Sequence, residues 1–285
     1  MIQKAVILCG GRGSRFLPIT KAVPKEILPI IDTPVLQFIV DELVLSGIKQ
    51  IKIIISPQKE IIKKYFLRDY ELENFLHRCG KSDQAQRLAQ ISQQAEISFE
   101  YQYESLGSAH AVSLAKSFVD NQPFVLCMGD DVVFGDIPAA KQLIDAYDKV
   151  KKTIIGVQVV DGNDIVRYGV IKTGNIGGKI IECKQIIEKP LLNNIPSRYA
   201  CMGRYVLTED IFDTLKYLTP ASNGEYLLPD CINMLVSNGV FAYCFDGKRY
   251  DMGNKLDATK AIFDFAINSS EYGADFRNYV AKIIK

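Results

Sequence analysis

The sequence predicts an α/β fold, in which a mostly parallel sheet is covered by helices on both faces. Short apolar segments typical of buried strands alternate with amphipathic helical patterns through the first 150 residues. At 285 residues, with 48% hydrophobic and 24% charged residues, the chain is long enough to bury a sizeable core. No Ser- or Pro-rich linker divides it. We therefore expect one composite domain rather than two independent ones.

The first half of the chain is predicted element by element from its hydrophobic periodicity. Apolar runs predict strands at 4–9, 51–56, 97–103 and 123–128, and helical patterns fall at 34–46, 58–67, 107–118 and 138–150. The first helix has Thr33 as its expected N-cap, Pro34 at its first helical position and Gly47 just past its end. Its apolar positions form one stripe, made by Leu36, Ile39, Val40, Leu43 and Val44.

The remaining segments are less regular. Residues 68–96 are polar and Gln-rich, and we predict a helical insertion over the edge of the sheet. After residue 150 the strand-like runs TIIGVQVV, RYGVIK, KIIECKQIIEK, ACMGRYVL and FAYCFD follow one another closely, which indicates extra strands around a pocket. Helices are expected near 224–236 and 254–282.

Composition excludes several classes of function. The formal net charge of +1 gives no reason to expect nucleic acid or an anionic membrane as a partner. No apolar run is long enough to span a bilayer, and the N-terminus has too short an apolar core for a signal peptide. The seven cysteines form no C-x-x-C pair, which favours reduced thiols in a cytoplasmic protein. With only two histidines, a His-rich zinc site or a His-based triad is not expected.

The most informative segment follows the first predicted strand. This strand runs directly into Gly10, Gly11 and Gly13, and Arg15 and Lys25 come soon after. Glycines let backbone amides approach a ligand closely, and successive bare N–H groups form an anion-binding concavity. Arginine and lysine add the positive charge that a polyphosphate needs. The segment therefore predicts a site for a nucleoside triphosphate.

Other glycine loops fit this segment less well. A P-loop needs a GKS or GKT sequence, and neither occurs here. A dinucleotide fingerprint leads straight into a helix and has an acid closing the second strand. Here the loop runs into Leu17-Pro18, and the second strand ends as IIISPQ, so a hydride-transfer enzyme is a weak alternative. A glycine-rich surface turn is the remaining alternative, but it leaves the grouping of glycines and cations in one connection unexplained.

Acidic residues follow other predicted strands. Asp130 and Asp131 come directly after the strand PFVLCM, where ligands bind in open α/β sheets. A carboxylate there suits Mg²⁺, which takes few protein ligands and fills its shell with phosphate oxygens and water. Asp251, within KRYDMGN, is a second possible ligand. For each acid the competing interpretation is a loop residue, a helix cap or a turn.

A further pair of charged residues lies at the end of an apolar strand, in Ile187-Glu188-Lys189-Pro190. In isolation an E-K-P sequence is typical of a solvated strand end. A functional interpretation assigns Glu188 to sugar hydroxyls and Lys189 to a phosphate.

Taken together, these segments resemble the sugar-phosphate nucleotidyltransferases, and specifically the bacterial UTP–glucose-1-phosphate uridylyltransferases (UDP-glucose pyrophosphorylases). Lys21 to Pro29, KAVPKEILP, is similar to that family's K-A-x-P-K-E-x-L-P signature. Further matches follow in order over essentially the whole chain. They are GSAHAV at 107–112, GDD at 129–131, YGV at 168–170, EKP at 188–190, GRY at 203–205, GEY at 224–226 and DMGNK at 251–255.

The resemblance implies a Rossmann-like nucleotidyltransferase fold, with a mixed central sheet flanked by helices, and it assigns roles to residues. Arg15 and Lys25 match residues that contact the phosphates, Asp130 and Asp251 match Mg²⁺ ligands, and Lys189 matches the lysine on the sugar phosphate. The residues expected around the nucleotide are Gly10, Gly11, Gly13, Ser14, Gln102 and Gly107. Those expected around the glucose are Gly169, Glu188 and Gly203.

The implied reaction joins UTP and glucose 1-phosphate to give UDP-glucose and pyrophosphate, with Mg²⁺ assisting in-line attack on the α-phosphate. Within a single domain at 1–285, we expect a nucleotide-binding part at 1–150, a sugar-phosphate-binding part at 151–253 and a C-terminal helical part at 254–285. The resemblance also implies a homo-oligomer, a dimer or tetramer, with 68–96 and the region after Asn254 as contact candidates.

Two kinds of alternative remain: transfer of another nucleotidyl group, and a non-catalytic binding function. The segment before Gly107 is short here, from Gln102 to Leu106, as in thymidylyltransferases, so thymidylyl, cytidylyl or guanylyl transfer is the nearest alternative. These share every phosphate and metal residue and differ only in the base pocket and sugar contacts. A non-catalytic nucleotide-sugar-binding protein is an alternative from another class. The sequence mark of such a protein would be loss of Asp130 or Lys25, and both are present.

Overall fold

Strand β1 (Lys4–Cys9) lies within a large mixed sheet, around which the chain from residue 1 to 284 is arranged in the computed structural model. This confirms the predicted α/β class with a mixed central sheet. The other strands are β2 Pro29–Ile30, β3 Thr33–Pro34, β4 Gln50–Ile55, β5 Glu96–Tyr101, β6 Phe124–Met128, β7 Asp131–Phe134, β8 Thr153–Val159, β9 Gly169–Gly177, β10 Ile180–Glu188, β11 Tyr199–Leu207, β12 Val240–Cys244 and β13 Lys248–Asp251.

The helices pack on both faces of this sheet and at its edges. They are α1 Val35–Leu45, α2 Glu60–Phe66, α3 Tyr70–Arg78, α4 Ser82–Gln93, α5 Ser108–Ser113, α6 Lys116–Val119, α7 Ala139–Val150, α8 Ile211–Thr214, α9 Leu228–Leu235, α10 Lys255–Ile267 and α11 Gly273–Ile283. Lys285, the last residue of the predicted C-terminal helical part, lies outside the described residues. Across the described chain, no helix combines the length and apolar content that crossing a membrane requires.

The strand order of the main sheet over residues 1–284 is β5-β4-β1-β6-β11-β8-β12-β10-β9. Strands β5, β4, β1 and β6 are parallel, so their carboxyl ends meet at one edge. Strand β11 runs antiparallel to both β6 and β8, which joins the second half of the chain to the first without a break. A separate pair, β7 with β13, places Asp251 opposite Asp131.

Two hydrophobic clusters hold the layers together, one on each face of the sheet. One packs α1 and α7 against it, and the other packs α5 and α9. In α1 the stripe Leu36, Ile39, Val40 and Leu43 is fully buried, as the periodicity predicts, because one face of the helix covers the sheet. Within residues 1–284 all seven cysteines are free thiols.

Several boundaries differ from the sequence prediction. Thr33 and Pro34 form the short strand β3 with β2, so α1 begins at Val35 and Thr33 is not its N-cap. The predicted helix 107–118 is two helices, α5 and α6, and Gly107 lies before them with a φ of +95°. The predicted C-terminal helix 254–282 is also divided, into α10 and α11. The helical insertion at 68–96 is confirmed as α3 and α4.

Candidate active site

The glycine loop lies at the carboxyl end of β1, as predicted. The amides of Gly10, Gly11, Arg12 and Gly13 donate no hydrogen bond to any residue between 1 and 284. Gly13 has a φ of +67°, a conformation that residues with a Cβ rarely adopt, and its carbonyl accepts a hydrogen bond from Thr20 Oγ1 at 2.8 Å. A run of unpaired amides that ends in a glycine of positive φ is suited to binding an anion.

A buried lysine holds this loop from behind. Lys59 Nζ donates hydrogen bonds to the carbonyls of Cys9 at 2.6 Å and Gly11 at 2.7 Å, and to both carboxylate oxygens of Glu26 at 2.8 Å. Because these carbonyls turn towards Lys59, the loop amides are left free to face the cavity. Lys59 is not predicted from the sequence, since a lysine in the polar run SPQKE has the pattern of an exposed residue.

Lys25 and Asp130 form an ion pair in the floor of the cleft. Burial alone would raise the pKa of Asp130, but the charge and hydrogen bond of Lys25, with smaller contributions from Arg15 and Arg249, hold it below its usual value. Burial alone would lower the pKa of Lys25, and the carboxylates of Asp130 and Glu26 raise it instead. Both partners are therefore charged at neutral pH.

Asp130 and Asp251 converge on one point. A Cβ built on Gly253 would lie 2.8 Å from Asp130 Oδ2, 3.0 Å from Asp251 Oδ1 and 3.1 Å from Arg15 Nη2, so both carboxylates and the Arg15 guanidinium face the space beside this glycine. Their approach follows from the β7–β13 pairing and from the Met252 amide, which donates to the Asp130 carbonyl at 2.8 Å.

Two arginines flank the Asp251 carboxylate. Arg15 Nη1 lies 3.8 Å from Asp251 Oδ2, and Arg167 Nη2 lies 3.6 Å from the same oxygen. Arg15 was predicted from the sequence, whereas Arg167 was not. The only signal for Arg167 was its place directly before the Tyr168-Gly169-Val170 match. Both arginines line the same cavity as Asp130.

Asp131 is held apart from this pair. Its side chain forms an ion pair with Arg249, whose guanidinium stacks 4.9 Å from the ring centre of Tyr168. Burial raises the pKa of Asp131 to about 6, with Arg249 opposing this and the Asp130 and Asp251 carboxylates adding to it. Asp131 and Arg249 also line the cavity that contains Asp130 and Asp251. Asp131 therefore belongs to a largely buried charge network beside the two converging carboxylates.

That network continues into the core through Arg204, which is fully buried. Arg204 Nε donates to Glu42 Oε1 at 3.0 Å, and Nη2 donates to Glu42 Oε2 at 2.7 Å and to the Asp131 carbonyl at 2.8 Å. Glu42 Oε1 also accepts a hydrogen bond from the Ala140 amide at the start of α7, at 2.9 Å. The network thus fixes the backbone of β7 beside the cleft, since Arg204 is tied to both α1 and α7.

One end of the cleft is a cavity of about 450 Å³ at the glycine loop. The predicted residues that line it are Gly10, Gly11, Lys25, Gln102, Gly107 and Asp130. A Cβ on Gly107 would lie 2.5 Å and 2.8 Å from backbone atoms of Tyr226, so only glycine fits there. Gly13 and Ser14 do not line this cavity, and Ser14 is exposed where the loop turns away.

The other end is a cavity of about 750 Å³ formed mainly by the second half of the chain. The predicted residues that line it are Arg15, Asp130, Gly169, Glu188, Lys189, Gly203 and Asp251. Lys189 has a largely exposed side chain, with its Nζ 3.4 Å from Glu188 Oε1. The two cavities share Asp130, Ser108, Met128 and Leu227. The glycine-loop cavity and a second polar cavity therefore meet at one carboxylate.

A glycine loop with unpaired amides, next to a cleft lined by carboxylates and cations, is typical of a nucleotide-binding transferase. Comparison with known proteins identifies the family. The nucleotidyl transferase family model matches residues 4–266, so the chain belongs to that family. A UTP–glucose-1-phosphate uridylyltransferase of Staphylococcus epidermidis is 41% identical over 283 residues, covering 99% of this chain and 98% of the relative.

Solved structures agree. A UDP-glucose pyrophosphorylase from Acinetobacter baumannii is 30% identical to this chain with a TM-score of 0.91, and the match covers 99% of this chain and 100% of that one. A UTP-bound form of the enzyme from the same organism is 31% identical with a TM-score of 0.90, and the match covers 99% of both chains. These comparisons confirm the Rossmann-like nucleotidyltransferase fold.

Proposed function

We propose that this protein transfers a uridylyl group from UTP to glucose 1-phosphate, giving UDP-glucose and pyrophosphate. The observation that carries this proposal is the full-length similarity to a UTP–glucose-1-phosphate uridylyltransferase, at 41% identity. The geometry of the cleft supports it, because the glycine-loop cavity and the second polar cavity share Asp130. Two substrates bound in these cavities would place their phosphates side by side.

The glycine-loop cavity would hold UTP. The unpaired amides of Gly10, Gly11 and Arg12 would bind phosphate oxygens, and Lys25 at the floor of the cleft would neutralise their charge. Arg15, on the side of the second cavity, would stabilise the departing pyrophosphate. The protein thus supplies fixed positive charge at the point where negative charge accumulates.

The converging carboxylates of Asp130 and Asp251 fit a magnesium ion. Mg²⁺ binds through one or two carboxylates and completes its octahedral shell with water and phosphate oxygens. In the part of the chain that the structure describes, no three side chains of Asp, Glu, His or Cys form a complete metal cage. We therefore propose Asp130 and Asp251 as the ligands, and when bound the ion would neutralise the phosphates of both substrates.

The second cavity would hold glucose 1-phosphate. Glu188 would accept hydrogen bonds from sugar hydroxyls, and Lys189 would orient the phosphate towards the α-phosphorus of UTP. Gly169 and Gly203 would lie beside the sugar ring and leave room for two carboxylates of the protein. A Cβ on Gly169 would lie 2.9 Å from Glu188 Oε2, and a Cβ on Gly203, which has a φ of +58°, would collide with Asp131 Oδ2.

No general base is required for this reaction. An oxygen of the sugar phosphate is already an anion when it attacks in line, and the leaving pyrophosphate departs on the opposite side. Neither histidine is among the described residues that line the two cavities. Catalysis then consists of positioning and charge neutralisation, which the buried network behind Asp131 makes rigid.

The direct test is a substrate panel. Pyrophosphate release is measured with UTP, TTP, CTP and GTP, each combined with glucose 1-phosphate and a few other sugar 1-phosphates. We expect UTP with glucose 1-phosphate to exceed every other pair. A preference for TTP would move the protein to the thymidylyl branch. Absence of release from every pair would contradict the proposal and support a nucleotide-sugar-binding protein.

Replacing Lys189 with Ala is expected to raise the KM for glucose 1-phosphate by about tenfold to a hundredfold, because a charge-assisted hydrogen bond worth about 1.5–3 kcal/mol is lost. The KM for UTP should change little. Steady-state kinetics with each substrate varied in turn would measure both. Lys184→Ala is the matched control, since Lys184 is an exposed lysine on β10 that pairs with Glu182 outside the cavity. An unchanged KM for the sugar phosphate would remove Lys189 from this role.

Self-association through the helices at 68–96 or the helices after Asn254 stays a prediction. Both regions expose apolar side chains of the kind that subunit contacts cover. Examples are Phe75 on α3 and Ile283 on α11.

A further inference from the structure

Gln102 lies at the end of β5, almost fully buried beside the glycine-loop cavity, and its side-chain amide is held by two acceptors. Its Nε2 lies 3.0 Å from the carbonyl oxygen of Gly107 and 3.2 Å from Nδ1 of His110. His110 is on α5, one turn beyond Gly107, and does not line the cavity itself. The contact therefore joins a residue inside the cavity to one behind it.

The direction of the Gln102 amide follows from these partners. A carbonyl oxygen can only accept a hydrogen bond, so the group facing Gly107 must be the NH₂ and not the oxygen. With its ring proton on Nε2, His110 presents an acceptor at Nδ1 to the second amide hydrogen. Both hydrogens of Gln102 Nε2 are then used, and neither points to the cavity.

The other end of the amide remains available. Oε1 lies on the side of Gly10, where an added Cβ would collide with it. Within residues 1–284 it accepts no hydrogen bond, and it is not among the fully buried side-chain atoms that lack a partner. Gln102 Oε1 is thus an acceptor that still reaches the cavity in which we place the nucleotide.

We propose that His110 is a positioning residue for base selection, which fixes Gln102 so that only an acceptor faces the base. An acceptor at this point favours a base whose ring nitrogen carries a hydrogen, as uracil does at N3. It opposes cytosine, whose N3 is itself an acceptor, because two facing acceptors leave both groups unpaired. This inference rests on the proposed function, since it assumes that a nucleoside triphosphate occupies the glycine-loop cavity.

The alternative is that His110 only packs between α5 and β5. The two roles predict different kinetics. A packing role would change stability or turnover equally for all nucleotides. A positioning role changes the ratio of specificity constants, because an amide held by the Gly107 carbonyl alone turns more easily than one held by two acceptors. Once turned, it presents its NH₂ to the base and tolerates cytosine. The ratio for UTP over CTP is therefore the quantity to measure.

The experiment compares His110→Leu with His110→Asn in the full-length protein. Leucine removes the acceptor, whereas the side-chain oxygen of asparagine keeps one near the position of Nδ1. We expect the kcat/KM ratio of UTP to CTP to fall about tenfold or more in His110→Leu, and to stay within about threefold of wild type in His110→Asn. Thermal melts of both variants record any loss of folding.

Two results would overturn the inference. One is a wild-type UTP to CTP ratio in a folded His110→Leu variant, and the other is an equal loss of the ratio in both variants. Calorimetric binding of UTP and CTP in the absence of sugar phosphate gives the same ratio without turnover. If the wild-type protein binds UTP but releases no pyrophosphate with any sugar phosphate, the proposed function fails while the binding ratio still decides the role of His110.

Discussion

Replacing Asp130 with Asn is expected to lower the turnover number by about 10²- to 10³-fold, because the variant keeps the shape of the side chain and loses its charge. Asp130 is the one predicted carboxylate that faces both cavities and also pairs with Lys25. Lys25 holds the pKa of this partly buried carboxyl low, so the charge is present at neutral pH. Asparagine can neither neutralise Lys25 nor contribute a full charge to a divalent cation opposite Asp251.

The measurement is kcat with saturating UTP, glucose 1-phosphate and Mg²⁺, together with a thermal melt to show that the variant is folded. Asp246→Asn is the matched control, because Asp246 is an exposed aspartate that pairs with Lys179 away from both cavities. The control should keep wild-type turnover. A folded Asp130→Asn variant with near-normal kcat would remove Asp130 from the mechanism. Loss of activity in both variants would show that the effect is not specific to the cleft.

The α/β fold could be predicted because its signals are local. Each long strand, such as β1 or β4, is a continuous apolar run, and α1 carries a buried stripe at helical spacing. The incorrect predictions also have physical causes. The two-residue strands β2 and β3 are too short for any periodicity, and the hairpin that they form takes Thr33 away from the helix start. Strand neighbours such as β6 and β11 depend on long-range packing that no local pattern encodes.

The residues of the candidate site also fall into those that the sequence predicts and those that it does not. Residues that we propose to contact phosphate or metal, such as Lys25 and Asp130, belong to motifs with a chemical reason visible in the sequence. The residues that hold them in place belong to no such motif. Arg249 has the pattern of a surface charge, yet it is buried against Asp131 and Tyr168. Such support depends on which elements come together, here β13 against β7, and only the folded chain shows this.

Replacing Lys59 with Met is expected to lower the free energy of unfolding by about 3–5 kcal/mol, the largest stability effect that we predict. Lys59 and Glu26 are both buried, with Glu26 at 0% exposure, and the lysine is the partner of both carboxylate oxygens. Methionine preserves the packing of the aliphatic stem. It leaves Glu26 as a buried carboxylate without its partner, and it leaves the carbonyls of Cys9 and Gly11 without a donor.

The double variant Lys59→Met with Glu26→Gln separates charge from loop geometry. Removing both charges should recover about half of the lost unfolding free energy, measured by urea denaturation. The KM for UTP should remain raised by about tenfold or more in both variants, because the carbonyls that turn the glycine loop still lack their donor. A double variant with a normal KM would show that Lys59 serves stability alone.

The pH dependence of the single variant has a definite sign. Burial raises the pKa of Glu26, and Lys59 and Lys25 lower it in part, so loss of Lys59 raises it further. A carboxyl with a raised pKa in the folded state holds its proton better there than in the unfolded chain. Its destabilising effect therefore grows as the pH rises above the unfolded value of about 4.3 and shrinks as the pH falls. The stability gap between Lys59→Met and the double variant should be smaller at about pH 5 than at about pH 8. A gap that does not change with pH would mean that the pKa of Glu26 in the folded Lys59→Met variant equals its pKa in the unfolded chain. The loss of stability would then come from the loop carbonyls and not from the Glu26 carboxylate.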